Sequence, residues 1–343
     1  MVEINLTRCE VAFNLTYQPV YRLAQFYTFS VSSIAAPALI YLFVKILFRL
    51  HFHGNLKSLL IAYFISVFLY ASILCFAFGY HFFSPFFISN PCDLIISKSL
   101  FKYGHVTLLF LLTTPMMYAL AFSIERFIAI GMASRYEYTP TRLGPILAVL
   151  LPFPNLFMLY SIFKEEKFDD IFISFLMLPN TSAPQFNDYL WYLLYLKMGN
   201  LVLNVVLLLV HRRFKAKYQI QKSSLSMRYA MEEISKSSKF TLIITFTHLL
   251  FFGTYTVCSI LVRVLGVPFF GSFLNHYVAR GVNCAIPTYN LVVVFVAFTS
   301  LRHLNSKRSL EVQTTVQISA TGYEGAKNYE DATINRWATI ARK

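Results

Sequence analysis

Long apolar runs recur along this chain, and each has the length that a helix needs to cross a lipid bilayer. A spanning helix requires roughly 20 predominantly apolar residues. Polar faces at the helical period, which a soluble helix would carry, are missing from these runs. Because lipid offers no partners for unpaired backbone groups, the pattern predicts an all-α membrane protein, a bundle of seven transmembrane helices. The seven segments have approximate bounds of 26–47, 58–80, 101–132, 144–163, 189–210, 240–262 and 276–300.

The composition agrees with this class and excludes others. Hydrophobic residues make up 57% of the chain and charged residues 13%, whereas a soluble domain carries about 25% charged residues. The net charge of +14 is spread over inter-helix loops and forms no single basic patch, so no nucleic-acid partner is expected. Motifs for phosphate binding, zinc binding and serine nucleophiles are absent from the sequence. We therefore expect no enzyme activity, no cofactor and no metal.

Loop charges predict the orientation of the bundle. The stretch 211–239 carries eight Lys and Arg residues against two Glu, whereas 164–188 carries two Lys against five acids. Basic loops stay in the cytosol, so the N-terminus is expected outside the cell and the C-terminus inside. Glycosylation sequons begin at Asn5, Asn14 and Asn180, and all three fall on the side predicted to be exterior.

The expected organisation has three parts. Residues 1–25 form an extracellular segment, residues 26–300 form the helix bundle, and residues 301–343 form a cytosolic tail. The tail is expected to begin with a short helix on the membrane surface and to continue as a disordered segment. Cys9 and Cys92 both lie on the predicted exterior, where disulfides persist, so we consider a bond between them and also the alternative that both stay free.

Polar residues inside the predicted spans are candidates for function, because they are costly in lipid and normally face the bundle interior. Lys197, Asn200 and Asn204 share one helical face. Two interpretations stay open: these groups only bond helices together, or an outer set lines a ligand cavity open to the exterior. The cations in this set favour a ligand that carries an acceptor or an anion. The outer set is His105, Tyr189, Trp191, Lys197, His276 and Arg280.

Span seven offers a second face of this kind. Its residues His276, Arg280, Asn283 and Pro287 recur at i, i+4, i+7 and i+11. In one uninterrupted helix, such a spacing places all four side chains on the same side.

Glu125 and Arg126 stand near the inner end of the third span. Both side chains could snorkel to the cytosolic interface, with no further role. Alternatively, Arg126 pairs in one conformation and is released in another, as a bistable element of a transmembrane switch.

The sequence resembles the nematode serpentine chemoreceptors, classes alpha and alpha/beta-like, within the G-protein-coupled receptor plan. The resemblance rests on the runs Glu125–Ala129 (ERFIA) and Leu225–Ile234 (LSMRYAMEEI), and it covers about residues 20–305. Ala230 and Ile234 replace the Gln and Asn that are usual in the second motif. The resemblance implies chemosensation in ciliated sensory neurons, at the plasma membrane, through heterotrimeric G proteins.

The predicted function is therefore that of a G-protein-coupled chemosensory receptor for a small-molecule or peptide ligand, with dimerisation left open. Its basic inner surface is expected to contact the G protein. Two alternatives are a multi-span transporter and a seven-helix ligand-gated channel subunit. Carboxylates deep within the spans and an internal repeat, which a transporter usually has, are missing from the sequence. The predicted coupling residues are Arg212, Arg213, Lys215 and Arg228.

Overall fold

The computed structural model describes residues 8–50, 52–88, 90–132, 136, 140–220, 225–282 and 284–320. Side chains are described throughout these ranges except at 49, 215–220, 225–230 and 304–320. The contacts of the chain divide it into a unit of residues 1–297 and a second unit of residues 298–343.

Seven segments of the described chain are helical, long and apolar enough to cross a membrane, as the sequence predicts. The third is the most deeply buried of the seven. Their bounds are Pro19–Lys45, Gly54–Phe86, Pro91–Met132, Leu143–Phe163, Ala183–Phe214, Met231–Phe270 and Phe273–His303.

A short helix, α1 (Arg8–Thr16), precedes the first span, α2 (Pro19–Lys45). Its residues Ala12 and Leu15 are fully buried in the core. The first span begins seven residues before the apolar run that predicts it, because Pro19 at the first turn suits a helix start.

The centre of the bundle is α4 (Lys98–Met132), which packs against α3 (Gly54–Phe83) and against the later helices. Pro115 lies inside α4, and the helix continues through it. Span four is divided into α5 (Leu143–Leu150) and α6 (Pro152–Phe163), because a proline cannot donate to the preceding turn.

The fifth and sixth spans are the long helices α7 (Ala183–Ile220) and α8 (Leu225–Phe270). Near its end α8 bends at Gly266, whose backbone has a positive φ of 63°. Glycine lacks the Cβ atom that disfavours this conformation in other residues.

Span seven consists of α9 (Phe273–Gly281) and α10 (Ala285–Ala320), separated by a break. The predicted single face of this span is therefore wrong as one continuous stripe: His276 and Arg280 lie on α9, whereas Pro287 lies on α10. Asn283, which belongs to the same predicted face, lies outside the described residues. The predicted boundary at residue 300 falls within α10, which continues as a helix to Ala320.

Candidate ligand and signalling sites

The loop of residues 164–182 folds back into the bundle, and we call it the loop plug. Its residues Phe168, Phe172 and Met177 are almost fully buried. The ring of Phe172 stacks on Phe101 of α4, with centroids 3.6 Å apart. These apolar contacts fill space that would otherwise be open between the helix ends.

Polar contacts hold the loop plug in place on α4. The backbone carbonyl of Phe175 accepts a hydrogen bond of 2.6 Å from Nδ1 of His105. Phe175 also lies over Gly104, where an added Cβ atom would stand 2.7 Å from its ring. At the surface, Lys98 forms an ion pair of 2.7 Å with Asp169, and this hydrogen-bonded pairing keeps the pKa of the Asp169 carboxyl below its usual value.

The two cysteines for which the sequence analysis considered a disulfide lie at the same end of the bundle, and the structure joins them. Cys9 on α1 forms a disulfide with Cys92, with Cα atoms 4.6 Å apart. Tyr17, just after α1, donates a hydrogen bond of 2.8 Å to the carbonyl of Pro85. We call this the disulfide end of the bundle.

The six predicted ligand residues make their described contacts in several separate places of the bundle. His105 holds the loop plug, and Trp191 stacks at 5.9 Å on Tyr195, a largely exposed residue. The sequence analysis did not predict the loop plug, because the acidic residues of 164–188 indicated an exterior loop. Their apolar run, Ile171–Leu178, is too short to span a membrane and was the available signal.

Tyr189 belongs to a buried hydrogen-bond network between α4, α6 and α7. Its hydroxyl donates to Oδ1 of Asn155 at 2.6 Å. The Thr113 hydroxyl donates to the same oxygen at 2.8 Å. In return, Nδ2 of Asn155 donates to the Thr114 hydroxyl at 3.2 Å. This arrangement satisfies buried polar groups and ties three spans together.

Lys197 lies deeper, in the middle of α7, and is buried. Its Nζ atom donates to Nδ1 of His248 on α8. The imidazole of His248 packs on Tyr289 of α10 at 4.8 Å, and Tyr289 shares a hydrogen bond with Tyr63 of α3. Four spans therefore converge on a buried lysine whose hydrogen-bond partner is an imidazole ring.

The rest of the predicted α7 face also points inward. Asn200 and Asn204 are buried. The hydroxyl of Ser123 donates to Oδ1 of Asn200 at 2.5 Å, and Nδ2 of Asn204 donates to Ser123 at 2.6 Å. These bonds join α4 to α7 below the lysine and support the interpretation that they hold helices together.

A small pocket of about 250 Å³ opens between α8 and the α9–α10 break. Arg263 of α8 and Arg280 of α9 both line it. His276, on the same short helix, donates to the carbonyl of Val262, another lining residue, at 3.2 Å. Of the six predicted ligand residues, Arg280 is therefore the one that lines this pocket.

At the opposite end, Glu125 and Arg126 form a buried ion pair, with exposures of 0% and 1%. The Arg126 Nε and Nη2 atoms donate to the two Glu125 oxygens at 2.5 and 2.6 Å. Arg126 Nη1 donates to the hydroxyl of Ser237 on α8. Because neither charge reaches the surface, snorkelling does not describe this pair. We call the contact of Glu125, Arg126 and Ser237 the clasp.

Tyr136, which follows α4, reinforces the clasp. Its hydroxyl donates to Glu125, and its ring packs at 4.3 Å on His53. Burial and the neighbouring Glu125 carboxylate raise the pKa of Tyr136, so the phenol stays protonated and able to donate. The backbone of His53 donates to Glu233 of α8 at 2.5 Å, which brings the loop after span one to the same place.

The other predicted residues lie at the surface or outside the described part. Arg212 and Arg213 are exposed near the end of α7, while the side chains of Lys215 and Arg228 lie outside the described residues. Asn14 and Asn180 are exposed; Asn5 lies outside the described residues.

Comparison with known proteins gives the class. A family model described as serpentine type 7TM GPCR chemoreceptor Srb matches residues 17–252. The chain is 66% identical over 342 residues to serpentine receptor class beta-13 of Caenorhabditis elegans, covering 100% of this chain and 99% of the relative. It is 58% identical to serpentine receptor class beta-5 of the same organism over 343 residues, with the same coverage. Identity to class beta-12 is 53%, covering 99% and 98%.

The fold and these relatives define a multi-pass membrane protein of the receptor type. The predicted resemblance to nematode serpentine receptors is confirmed. The chain belongs to the Srb family of serpentine chemoreceptors.

Proposed function

We propose that this chain binds a small-molecule or peptide ligand from the exterior between its helices and activates a heterotrimeric G protein at its inner surface. This gives the chemoreceptor class a mechanism in which the ligand shifts the populations of two helix arrangements. The closed arrangement keeps the clasp formed, and the open arrangement releases α8 from α4.

The observation that carries the proposal is the clasp. A buried arginine whose charge is matched by its own neighbour, Glu125, still reaches across to Ser237 on another helix. The bond to Ser237 can break without leaving the Arg126 charge unpaired, because Glu125 moves with it on α4. A contact of this kind suits a reversible switch better than an inter-helix ion pair, whose separation would strand two buried charges.

The coupling surface of the proposal lies around the clasp. Arg212 and Arg213 are exposed there on α7, and the basic stretch 211–239 follows them in the chain. Basic residues would attract an acidic face of the G protein. Lys215 and Arg228 are proposed partners from their place in the sequence.

Orientation and location are parts of the same proposal. The disulfide end would face the exterior and the clasp the cytosol, at the plasma membrane of sensory cilia. Exposed Asn14 and Asn180 suit glycosylation at that end. Epitope tags at both termini, stained with and without permeabilisation, test this: a C-terminal tag that stains on intact cells would overturn the orientation.

Calcium imaging tests the coupling. Cells expressing the chain with a panel of Gα subunits are exposed to odorants, peptides and metabolites, and each active compound is then tested on Arg126→Ala. Because Arg126→Ala removes the clasp bond to Ser237, we expect ligand-free activation to rise and the ligand-evoked increase to fall, while surface expression is retained. Arg22→Ala, a change of an arginine at the other end of the bundle, is the control for charge loss. A response of normal size in Arg126→Ala would refute the switch role.

A further inference from the structure

We propose that the pocket between α8 and α9 is a binding site for a small organic anion, such as a carboxylate, held by Arg263 and Arg280. The inference deepens the proposed receptor function by naming the chemistry of the ligand. It also assigns a role to Arg263, which the sequence analysis did not single out.

Two half-buried guanidinium groups face one cavity here. Arg263 of α8 donates to the amide oxygen of Asn187 on α7. Arg280 of α9 donates to the amide oxygen of Asn180 at 2.9 Å and to the carbonyl of Leu178 at 2.7 Å. All three acceptors are neutral, and each arginine has five N–H donors in total.

Charge in this pocket is unbalanced. Among the ion pairs of the described chain, none involves Arg263 or Arg280. Asn180, which accepts from Arg280, is itself linked to an acid, because its backbone N–H donates to Asp170 at 3.0 Å. Two cations in a partly dry site repel one another, and an anion placed between them would remove that cost. Guanidinium groups bind carboxylates in a planar, two-bond geometry.

The remaining lining limits the ligand. Val262, Ala279 and Val282 are apolar, and the volume of about 250 Å³ is below the roughly 300–1,000 Å³ of drug-sized pockets. The site therefore suits a small anion with an apolar remainder. Because Arg280 also bonds to two residues of the loop plug, an anion that attracts this arginine would loosen the plug.

Two native thiols, Cys258 and Cys284, line the same pocket and allow a direct measurement of its potential. The third free cysteine, Cys75, is first changed to Ser, and then each pocket thiol is left alone by changing the other to Ser. The thiol in each receptor is treated on cells with an anionic methanethiosulfonate (sulfonatoethyl) or a cationic one (trimethylammonioethyl). Loss of later maleimide labelling gives the two reaction rates.

We expect the ratio of the anionic to the cationic reaction rate to be higher at each pocket thiol than at a free thiol in solution. Arg263→Gln or Arg280→Gln should each lower the ratio of the two rates about three- to ten-fold, the effect of one unit charge several ångströms away in a wet site. Arg263→Lys should preserve the ratio. Arg22→Gln is the matched control: this guanidinium lies over the Phe82 ring, 4.7 Å from its centroid, and does not line the pocket.

Three outcomes would overturn the inference: a ratio equal to that of a free thiol, a ratio that neither arginine change affects, or no reaction with either reagent. Surface expression of every variant is measured, so that a folding defect is recognised. The assay reads no signalling. If the pocket is electropositive but the receptor activates no G protein, this site stands and the proposed coupling is overturned. If the receptor activates a G protein but the pocket is not electropositive, the coupling stands and this site is overturned.

Discussion

The most direct test of the clasp is Ser237→Ala. This change deletes the oxygen that accepts from Arg126 and leaves the Glu125–Arg126 ion pair in place. The alanine methyl group fits wherever the serine side chain fits, since it is smaller by one oxygen atom. The change removes a fully buried hydroxyl, and the Arg126 charge keeps its partner Glu125.

The magnitude follows from the kind of bond. A hydrogen bond to a charged group contributes about 1.5–3 kcal/mol, and bonds between membrane helices lie lower, near 0.6–1.7 kcal/mol. In the proposed switch the bond exists in the closed arrangement only, so its loss would favour the open one by about 1–2 kcal/mol. The ratio of open to closed receptor should then rise about 5- to 30-fold, since 1.4 kcal/mol corresponds to a factor of ten.

The assay is ligand-free G-protein activation, divided by the amount of receptor at the surface. Ser238→Ala is a matched control on the next residue: Ser238 is also buried, but its hydroxyl has no hydrogen-bond partner in the described chain. Basal activation should rise in Ser237→Ala and stay near wild type in Ser238→Ala. Equal activation in the two variants, or a decrease in Ser237→Ala, would refute the clasp as a closing contact.

Three further predictions concern stability, each read from thermal unfolding in detergent. Lys197→Met should be neutral or stabilising by about 1–3 kcal/mol, because it removes a buried amine whose hydrogen-bond partner, His248, is not a carboxylate; a clear loss would show that the pair stabilises the fold. Asn155→Ala should cost about 1–3 kcal/mol, since the buried Tyr189 hydroxyl loses its acceptor and the side-chain bonds to Thr113 and Thr114 are also lost; an unchanged midpoint would contradict the network. Cys9→Ser, Cys92→Ser and the double variant should lose the same stability, about 2–5 kcal/mol; unequal losses would mean that the cysteines act separately.

The spans could be predicted because lipid imposes one simple requirement, a long apolar helix. Their ends were less accurate, since helices continue beyond the apolar run. Pro19 begins α2 in a stretch that includes Arg22 and Gln25, which lower its hydropathy. Gln25 is buried and faces the bundle, so polarity there does not mark the end of the helix.

The candidate site could be predicted only in part, because periodicity reports which face of a helix a residue occupies and not what lies opposite. The inward direction of Lys197 followed from spacing along α7. Its partner, His248, lies 51 residues away and depends on how α7 and α8 pack. Arg263 was missed because the apolar run ends at residue 262, although the helix continues to Phe270.

A second limit is the break in span seven. A spacing of i, i+4, i+7 and i+11 assumes one unbroken helix. The chain leaves the helix after Gly281 and resumes at Ala285. This interruption turns Arg280 toward α8 and the loop plug, while Tyr289 faces the lysine pair. The predicted face of span seven is therefore divided between two helices.

The pocket and the clasp share one element, and this makes their coupling testable. Arg263 and Ser237 stand 26 residues apart on α8, about 39 Å at 1.5 Å per residue, and no non-helical residue lies between them. Independent sites at this distance would give additive effects, within about 0.3–0.5 kcal/mol. If α8 moves as a rigid lever, Arg263→Gln should change basal activation in the wild type and much less in Ser237→Ala, where the clasp is already weakened. A double-mutant cycle on basal activation measures this difference, and additivity would show that α8 does not connect the two ends.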